Sequence, residues 1–301
     1  MTEKSAANDG LVVAAHGQRG VLETADGQTL AYLVKGKRLR VVCGDRVKWT
    51  RIDPDDVGII EKILNRNNVL ERKEPGRTAG EILAANVSCL IVVFAPLPRP
   101  DWFLIDRYLC TGTLMGCQLI LVGNKNDLHD KNARHLMDAE LEDYIAAGYD
   151  YLSVSAKNAS TLGELGERLR DQIGILVGQS GAGKSSLINR LVPGAKIATR
   201  AVSKATAEGT HTTTASTMHR LPDGGRLIDS PGVRDFIPVV DTPYDVEAGY
   251  PEIVALASQC RFSNCRHLRE PDCAVKKGRD EGLISARRYE SYKRLLKSLP
   301  D

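Results

Sequence analysis

Gly178-Gln-Ser-Gly181-Ala-Gly183-Lys184-Ser185 decides how this chain is read. It fits G-x-x-x-x-G-K-[ST] at every position. The apolar Ile175-Leu-Val177 precedes it, and Ser185-Ser-Leu-Ile-Asn-Arg-Leu191 follows with helical character. Strand, glycine-rich loop and helix in that order make a phosphate-binding loop. Gly178, Gly181 and Gly183 let the backbone turn tightly, so that successive N–H groups point at phosphate oxygens. The helix adds its positive N-terminal end. Lys184 is placed to reach the β- and γ-phosphates, and the Ser185 hydroxyl to ligate Mg²⁺.

Working outward, Asn124-Lys125-Asn126-Asp127 follows the buried-strand pattern Gln118–Gly123. It matches N-K-x-D. An Asp127 carboxylate accepts from guanine N1–H and the 2-amino group, a pair of donors adenine lacks. The Asn124 amide suits the base edge, and the Lys125 stem suits the base plane. Alone, four residues are a weak pattern that a helix-capping turn also produces. Ser155-Ala156-Lys157 after the next strand is the companion S-A-K element, whose Ala156 N–H would meet guanine O6. Downstream of the phosphate loop, Asp229-Ser-Pro-Gly232 matches D-x-x-G, with Asp229 toward Mg²⁺ and the Gly232 N–H toward the γ-phosphate. Between them lies Gly209-Thr-His211-Thr212-Thr213-Thr214, where a switch threonine belongs; Thr212 and Thr213 both qualify as Mg²⁺ ligands.

The order is N-K-x-D, S-A-K, phosphate loop, threonines, D-x-x-G. Ordinary G proteins begin with the phosphate loop. The same sheet forms if the old termini are joined and new ones opened elsewhere, so the chain reads as a circularly permuted G domain that binds and hydrolyses GTP. The two switches then lie at the end of that domain and lead into the next segment, which nucleotide state is expected to reposition.

That segment holds Cys260-x4-Cys265-x-His267-x5-Cys273. Three thiolates and an imidazole within fourteen residues form a closed set suited to one structural, tetrahedral Zn²⁺. The helix expected from about Ser285 is basic and is expected to present Arg287, Arg288, Lys293 and Arg294. The other four cysteines, Cys43, Cys89, Cys110 and Cys117, sit in apolar contexts and read as buried free thiols.

At the other end, residues 10–63 alternate short apolar runs with Gly and charge, a pattern of short strands closing a small β-barrel. Residues 64–80 are polar, with Pro75 and Gly76, and read as a linker. From residue 81 buried strands alternate with helices at 101–116, 134–147, 160–173 and 185–191, the mark of an α/β domain with a mostly parallel sheet. His211–Leu221 and Gly225–Asp229 read as a hairpin turning at Pro-Asp-Gly-Gly. Five segments result: a disordered tail (1–9), the barrel (10–70), a linker (71–80), the G domain (81–240) and an α-rich zinc-binding domain (241–301).

Composition adds limits. No apolar run approaches the ~18 residues that span a bilayer, and the N-terminus lacks the apolar core of a secretory signal. A cytoplasmic chain without membrane partners is expected. The net charge of +3 is uneven: residues 1–77 carry 14 Lys+Arg against 11 Asp+Glu, 78–257 carry 16 against 21, and 258–301 carry 11 against 6. Basic ends around an acidic middle suit a polyanion partner, although surface solvation explains them equally well.

Barrel, permuted GQSGAGKSS and DSPG motifs, G-x-H-T-T segment and C-x4-C-x-H-x5-C cluster together resemble the small-ribosomal-subunit biogenesis GTPases over nearly the whole chain. The resemblance implies an OB-fold barrel and a chain that binds the small ribosomal subunit and its rRNA late in assembly. It also implies GTP hydrolysis stimulated by the 30S particle. It implies guanine contacts at Asn124, Lys125, Asn126 and Asp127, with Ser155, Ala156 and Lys157 nearby. Phosphate contacts run from Gly178 through Gln179, Ser180, Gly181, Ala182, Gly183, Lys184 and Ser185 to Ser186, and zinc falls to Cys260, Cys265, His267 and Cys273. After D-x-x-G stands Val233, apolar as in that family, where many G proteins carry a water-orienting Gln. His211 is the nearest group to orient the water, or it merely shapes the switch. The competing function is a nucleotide-gated RNA-binding module with incidental hydrolysis. A metabolic P-loop kinase has no reason to carry N-K-x-D, S-A-K and D-x-x-G together.

Overall fold

The computed structural model describes residues 7–36, 39–52, 57–72, 80–128, 130–195, 197, 216–229 and 239–299. His211, Thr212, Thr213, Gly232 and Val233 lie outside the described residues. No helix among those described is long and apolar enough to cross a membrane.

The barrel consists of β1 (Asn8–His16), β2 (Arg19–Thr24), β3 (Thr29–Val34), β4 (Arg46–Ile52) and β5 (Val57–Ile63). Strand β3 shows the cause directly: in Thr29-Leu-Ala-Tyr-Leu-Val34 every second residue is buried, the period of a strand with one face inward. Val12, Leu22, Leu30, Tyr32, Val47, Trp49 and Ile60 fill the interior. Antiparallel β1–β2, β2–β3, β4–β5 and β1–β4 ladders and a parallel β3–β5 ladder close the barrel. The stretch read as a linker, residues 64–80, contains paired strand. β6 (Val69–Arg72) and β7 (Glu81–Ala85) form an antiparallel ladder in which Arg72 faces Glu81.

The G domain follows as β8 (Cys89–Phe94), α1 (Trp102–Leu114), β9 (Gln118–Gly123), α2 (Lys131–Ala146), β10 (Asp150–Ser153), α3 (Gly163–Arg168), β11 (Ile173–Val177), α4 (Lys184–Leu191), β12 (Ser216–Arg220) and β13 (Arg226–Asp229). Every residue of β8 is buried, as a central parallel strand requires. Strands β10, β9, β8, β11 and β13 run parallel in that order, and β12 folds back antiparallel on β13. Strand β12 also pairs with β1 of the barrel, Ala14 opposite Thr217 and Ala15 opposite Ser216, so one sheet of eleven strands runs through both domains. The helix expected over 160–173 is shorter. Its apolar face, Leu162, Leu165 and Leu169, ends at 169. Asp171 then turns the chain in the left-handed region at φ 60° into β11, which starts at Ile173.

Helices α5 (Pro243–Ala248), α6 (Pro251–Ala257), α7 (Ala274–Asp280) and α8 (Ala286–Leu296) make the C-terminal domain. Thr242 and Asp245 cap α5 reciprocally. Val246, Tyr250, Ile253, Val275, Ile284 and Tyr292 form the core, with Cys110 of α1 packed among them.

Candidate functional site

The loop from β11 to α4 has the backbone its glycines allow. Gly178 sits at φ 133°, where a Cβ would lie 2.1 Å from the Val93 carbonyl oxygen. Gly183 caps α4 at φ 93°, and a Cβ there would lie 2.3 Å from Asn124 Nδ2. Neither position admits a side chain. Lys184 folds over the loop and donates to the carbonyls of Gly178 (2.7 Å) and Gln179 (2.9 Å). Its charge therefore stands at the mouth of the loop. Ser185 and Ser186 are half-buried in the first turn of α4. Asp229 ends β13, beside the loop strand. Burial pushes its carboxyl up, and His219 and Lys184 pull it back toward the charged form. A cation site bounded by Ser185 and Asp229 is consistent with that arrangement. Gln179 turns its side chain to the start of α1. It accepts from Asp101 N–H at 2.7 Å and donates to the Arg99 carbonyl at 2.9 Å.

The base-reading motif meets the phosphate loop directly. Asn124 is buried and donates to the Ala182 carbonyl at 2.9 Å, while its Oδ1 accepts from Ala156 N–H at 3.2 Å. One amide thus joins three sequence motifs. Lys125, in the left-handed region at φ 63°, donates to the carbonyls of Gly181 (2.7 Å) and Leu97 (2.8 Å). Burial holds its ammonium below the usual lysine range. Asp127 accepts from the Ser155 hydroxyl at 2.7 Å and pairs with Lys157 at 2.9 Å. Those two bonds, Ser155 first, hold its carboxyl below the ordinary value. Asp127 therefore stays an anion, the state that accepts from two guanine donors. Asn126 points elsewhere, to the Ser153 carbonyl at 3.3 Å.

In the C-terminal domain the donor atoms of Cys260, Cys265, His267 and Cys273 all lie within 4.8 Å of one another. Zn–S and Zn–N bonds in a tetrahedron place neighbouring sulfurs ~3.8 Å apart and sulfur and nitrogen ~3.6 Å apart. The observed separations are 3.8 Å for Cys260–Cys273, 3.5 Å for Cys260–His267 Nδ1 and 3.4 Å for His267 Nδ1–Cys273. The residues fit the ion. Burial above all, with the neighbouring thiols, pushes Cys265 up to about 12, and a divalent cation is what lets such donors ionise together. With Nδ1 turned to the sulfurs, His267 Nε2 donates to Glu247 at 3.2 Å, fixing the ring. Tyr289 and Tyr292 of α8 donate to the carbonyls of His267 and Arg266.

Residues 63–237 match the model of the RsgA GTPase family. The chain belongs to the RsgA GTPase family. It is 42% identical, over 97% of its own length and 86% of the relative's, to the small ribosomal subunit biogenesis GTPase RsgA of Azotobacter vinelandii. Identity to the RsgA of Pseudomonas aeruginosa is 40% over the same shares. The crystal structure of YjeQ from Thermotoga maritima superposes with a TM-score of 0.77 at 30% identity, covering 97% of this chain and 98% of that one. YloQ, a circularly permuted GTPase, superposes with 0.73 at 23% identity, over 100% and 99%, and supports the fold. As a member of the RsgA GTPase family the chain is a GTP hydrolase that uses guanine nucleotide and Mg²⁺.

The structure changes one reading of the chain's surface. Arg287 and Arg288 of α8 do not face solvent. Arg288 is 1% exposed, pairing with Asp106 of α1 at 2.7 Å and with Glu252. The Tyr144, Tyr149 and Tyr250 rings surround it at 4.7, 5.3 and 5.2 Å. Arg287 pairs with Asp106 at 2.7 Å and Glu140 at 2.6 Å. These acids lie far away in sequence, so a local reading of α8 counts four free cations. Lys293 and Arg294 pair with Glu290 on the outer side. Glu247, too, gave no signal, since it lies twenty residues before the histidine it orients.

Proposed function

We propose that this chain acts in late assembly of the small ribosomal subunit as a GTPase switched on by that particle, working in the cytoplasm as a monomer. GTP would sit with its base against Asn124, Lys125, Asp127 and Ala156 and its phosphates on the loop Gly178–Ser186, with Lys184 compensating the β/γ charge. Mg²⁺ would be held by Ser185, by Asp229 through water, and by Thr212 or Thr213. His211 would orient the attacking water, since Val233 offers no polar group. The Cys/His cluster would hold one structural Zn²⁺. The observation that carries the reading is the Asn124 amide. Motifs 58 residues apart in a permuted order meet through its 2.9 Å bond to Ala182. That contact supports a fold built around one nucleotide.

Docking to rRNA would fall to the metal loop, where Arg266 and Arg269 are exposed, rather than to α8. The relatives' name supports the particle, and the basic loop supports its nucleic acid. The test measures phosphate release with and without purified 30S subunits, for the native chain and Lys184→Ala. Stimulation by 30S, lost in Lys184→Ala, is the expected result. Turnover indifferent to 30S would instead favour a nucleotide-gated RNA-binding module.

A further inference from the structure

Asp127 reads a base only if the backbone carrying it is fixed. That backbone is a turn with Lys125 in the left-handed region at φ 63°, a conformation that non-glycine residues adopt only under constraint. Two of its N–H groups are held: Asn126 N–H donates to the Val154 carbonyl at 3.1 Å and Leu128 N–H to the Lys125 carbonyl at 3.0 Å. The two carbonyls that flank Asp127, those of Asn126 and Leu128, both accept from the guanidinium of Arg134, the second at 3.3 Å. Arg134 stands in the first turn of α2, just past the cap that Asp130 makes to Ala133 N–H. A cation at a helix N-terminus opposes the helix dipole. Two carbonyls aimed at one guanidinium nitrogen, Nη2, supply the missing negative end, and bonds from a charged donor are about twice as strong as neutral ones.

We infer that Arg134 is a positioning residue for guanine recognition, setting affinity and base selectivity through the main chain on either side of Asp127. This rests on the base-reading role proposed for Asp127. Its hydrogen bonds go to main-chain carbonyls, so it acts through the loop and not on the nucleotide. Arg134 and Asn126 also line a cavity of about 530 Å³. Water entering that space can replace the guanidinium at the carbonyls when the side chain is cut back, so Arg134→Ala keeps the fold and loosens the turn.

The experiment titrates GDP and IDP, whose base lacks the 2-amino group, against the native chain, Arg134→Ala, Arg134→Lys and Asp127→Asn. Arg134→Ala is expected to weaken GDP binding about tenfold and to narrow the GDP-over-IDP ratio. In turnover, KM rises and kcat at saturating GTP holds. Arg134→Lys recovers part of the affinity, because an ammonium keeps the charge and the N–H donors but its different stem and compact head do not place them where Nη2 meets both carbonyls. A native GDP affinity in Arg134→Ala overturns the inference. So does a ratio that stays native while both affinities fall together, since that is general loosening and not base reading. Asp127→Asn separates the two levels. If it leaves the ratio native, the base-reading role falls. If it collapses the ratio while Arg134→Ala does not, only Arg134 is wrong.

Discussion

The barrel meets the G domain edge to edge, through main-chain pairing of β1 with β12. The C-terminal helices meet it through side chains, with Arg287 and Arg288 gripping Asp106 of α1. The two attachments also reach different parts of the nucleotide machinery. Strands β12 and β13, to which the barrel is sewn, lie between the two segments expected to switch. The C-terminal domain stands on α1, and Gln179 ties Arg99 and Asp101, just ahead of that helix, to the phosphate loop. A ladder is made by main-chain groups, which a side-chain substitution leaves in place. A buried ion cluster concentrates it in a few groups and fails when one is removed. The barrel is therefore expected to stay fixed through most single changes, and the C-terminal domain to depend on particular residues.

The largest effect should come from the metal. Structural Zn²⁺ contributes on the order of 10 kcal/mol of apparent binding energy in small domains, and that energy is folding energy. Metal analysis should return about one Zn²⁺ per chain. Chelation, or Cys265→Ser, should unfold the loop from 260 to 273 and release the carbonyls that Tyr289 and Tyr292 hold. Hydrogen exchange read by peptide should show protection lost there and kept in the barrel and in β8 to β11. Equal protection with and without metal would remove the asymmetry between the two attachments.

Arg288→Met should come next. It leaves Asp106 and Glu252 buried with fewer partners, and breaking a buried pair from one side costs about 3–5 kcal/mol. Urea unfolding followed by two probes, Trp102 on α1 and Trp49 in the barrel, separates the regions. The expected outcome is early loss of the C-terminal domain with Trp49 unfolding later. A cost below about 1 kcal/mol would mean that the apolar contacts around Tyr250 and Tyr292 hold the domain without the ion cluster.

What the sequence made legible follows the same division. Strand β9 was readable to the residue, because the apolar run Leu119-Ile-Leu-Val122 lies between Gly116 and Asn124. The Gly178–Ser185 loop, the Asn124–Asp127 turn and the Cys260–Cys273 cluster were legible as groupings because each packs its residues into a few neighbouring positions. The β1–β12 seam was not, since main-chain hydrogen bonds leave no side-chain signature. Nor was the burial of Arg288, whose partners Asp106 and Glu252 lie 182 and 36 residues away. The helix over 160–173 was overextended because Ile173 continues an apolar rhythm that the turn at Asp171 interrupts.

The smallest effect belongs to a charged fastener of the barrel. Glu23 of β2 pairs with Arg226 of β13 at 2.6 Å and Arg220 of β12 at 2.7 Å, in parallel with the β1–β12 seam. The Arg226 guanidinium above all, and Arg220 after it, hold the Glu23 carboxyl at about 2 against burial that pushes it up from its ordinary 4.5. A carboxyl lowered on folding stabilises fully above its unfolded pKa, and that stability is lost as pH falls from about 4.5 toward 2. Glu23→Gln has no such term. The native chain should therefore exceed Glu23→Gln by roughly 1–2 kcal/mol at pH 7, and the gap should close across that window. Urea midpoints at pH 7, 5, 4 and 3 measure it, and parallel curves would show that the pair adds nothing. Within the cluster the two arginines should differ. The Arg220 side chain is 58% exposed and Arg226 only 23%, so Arg220→Ala should cost less than Arg226→Ala, by screening alone. Because β1 and β12 remain paired in either variant, neither change should detach the barrel, whereas one buried arginine is enough to free the domain at the other end.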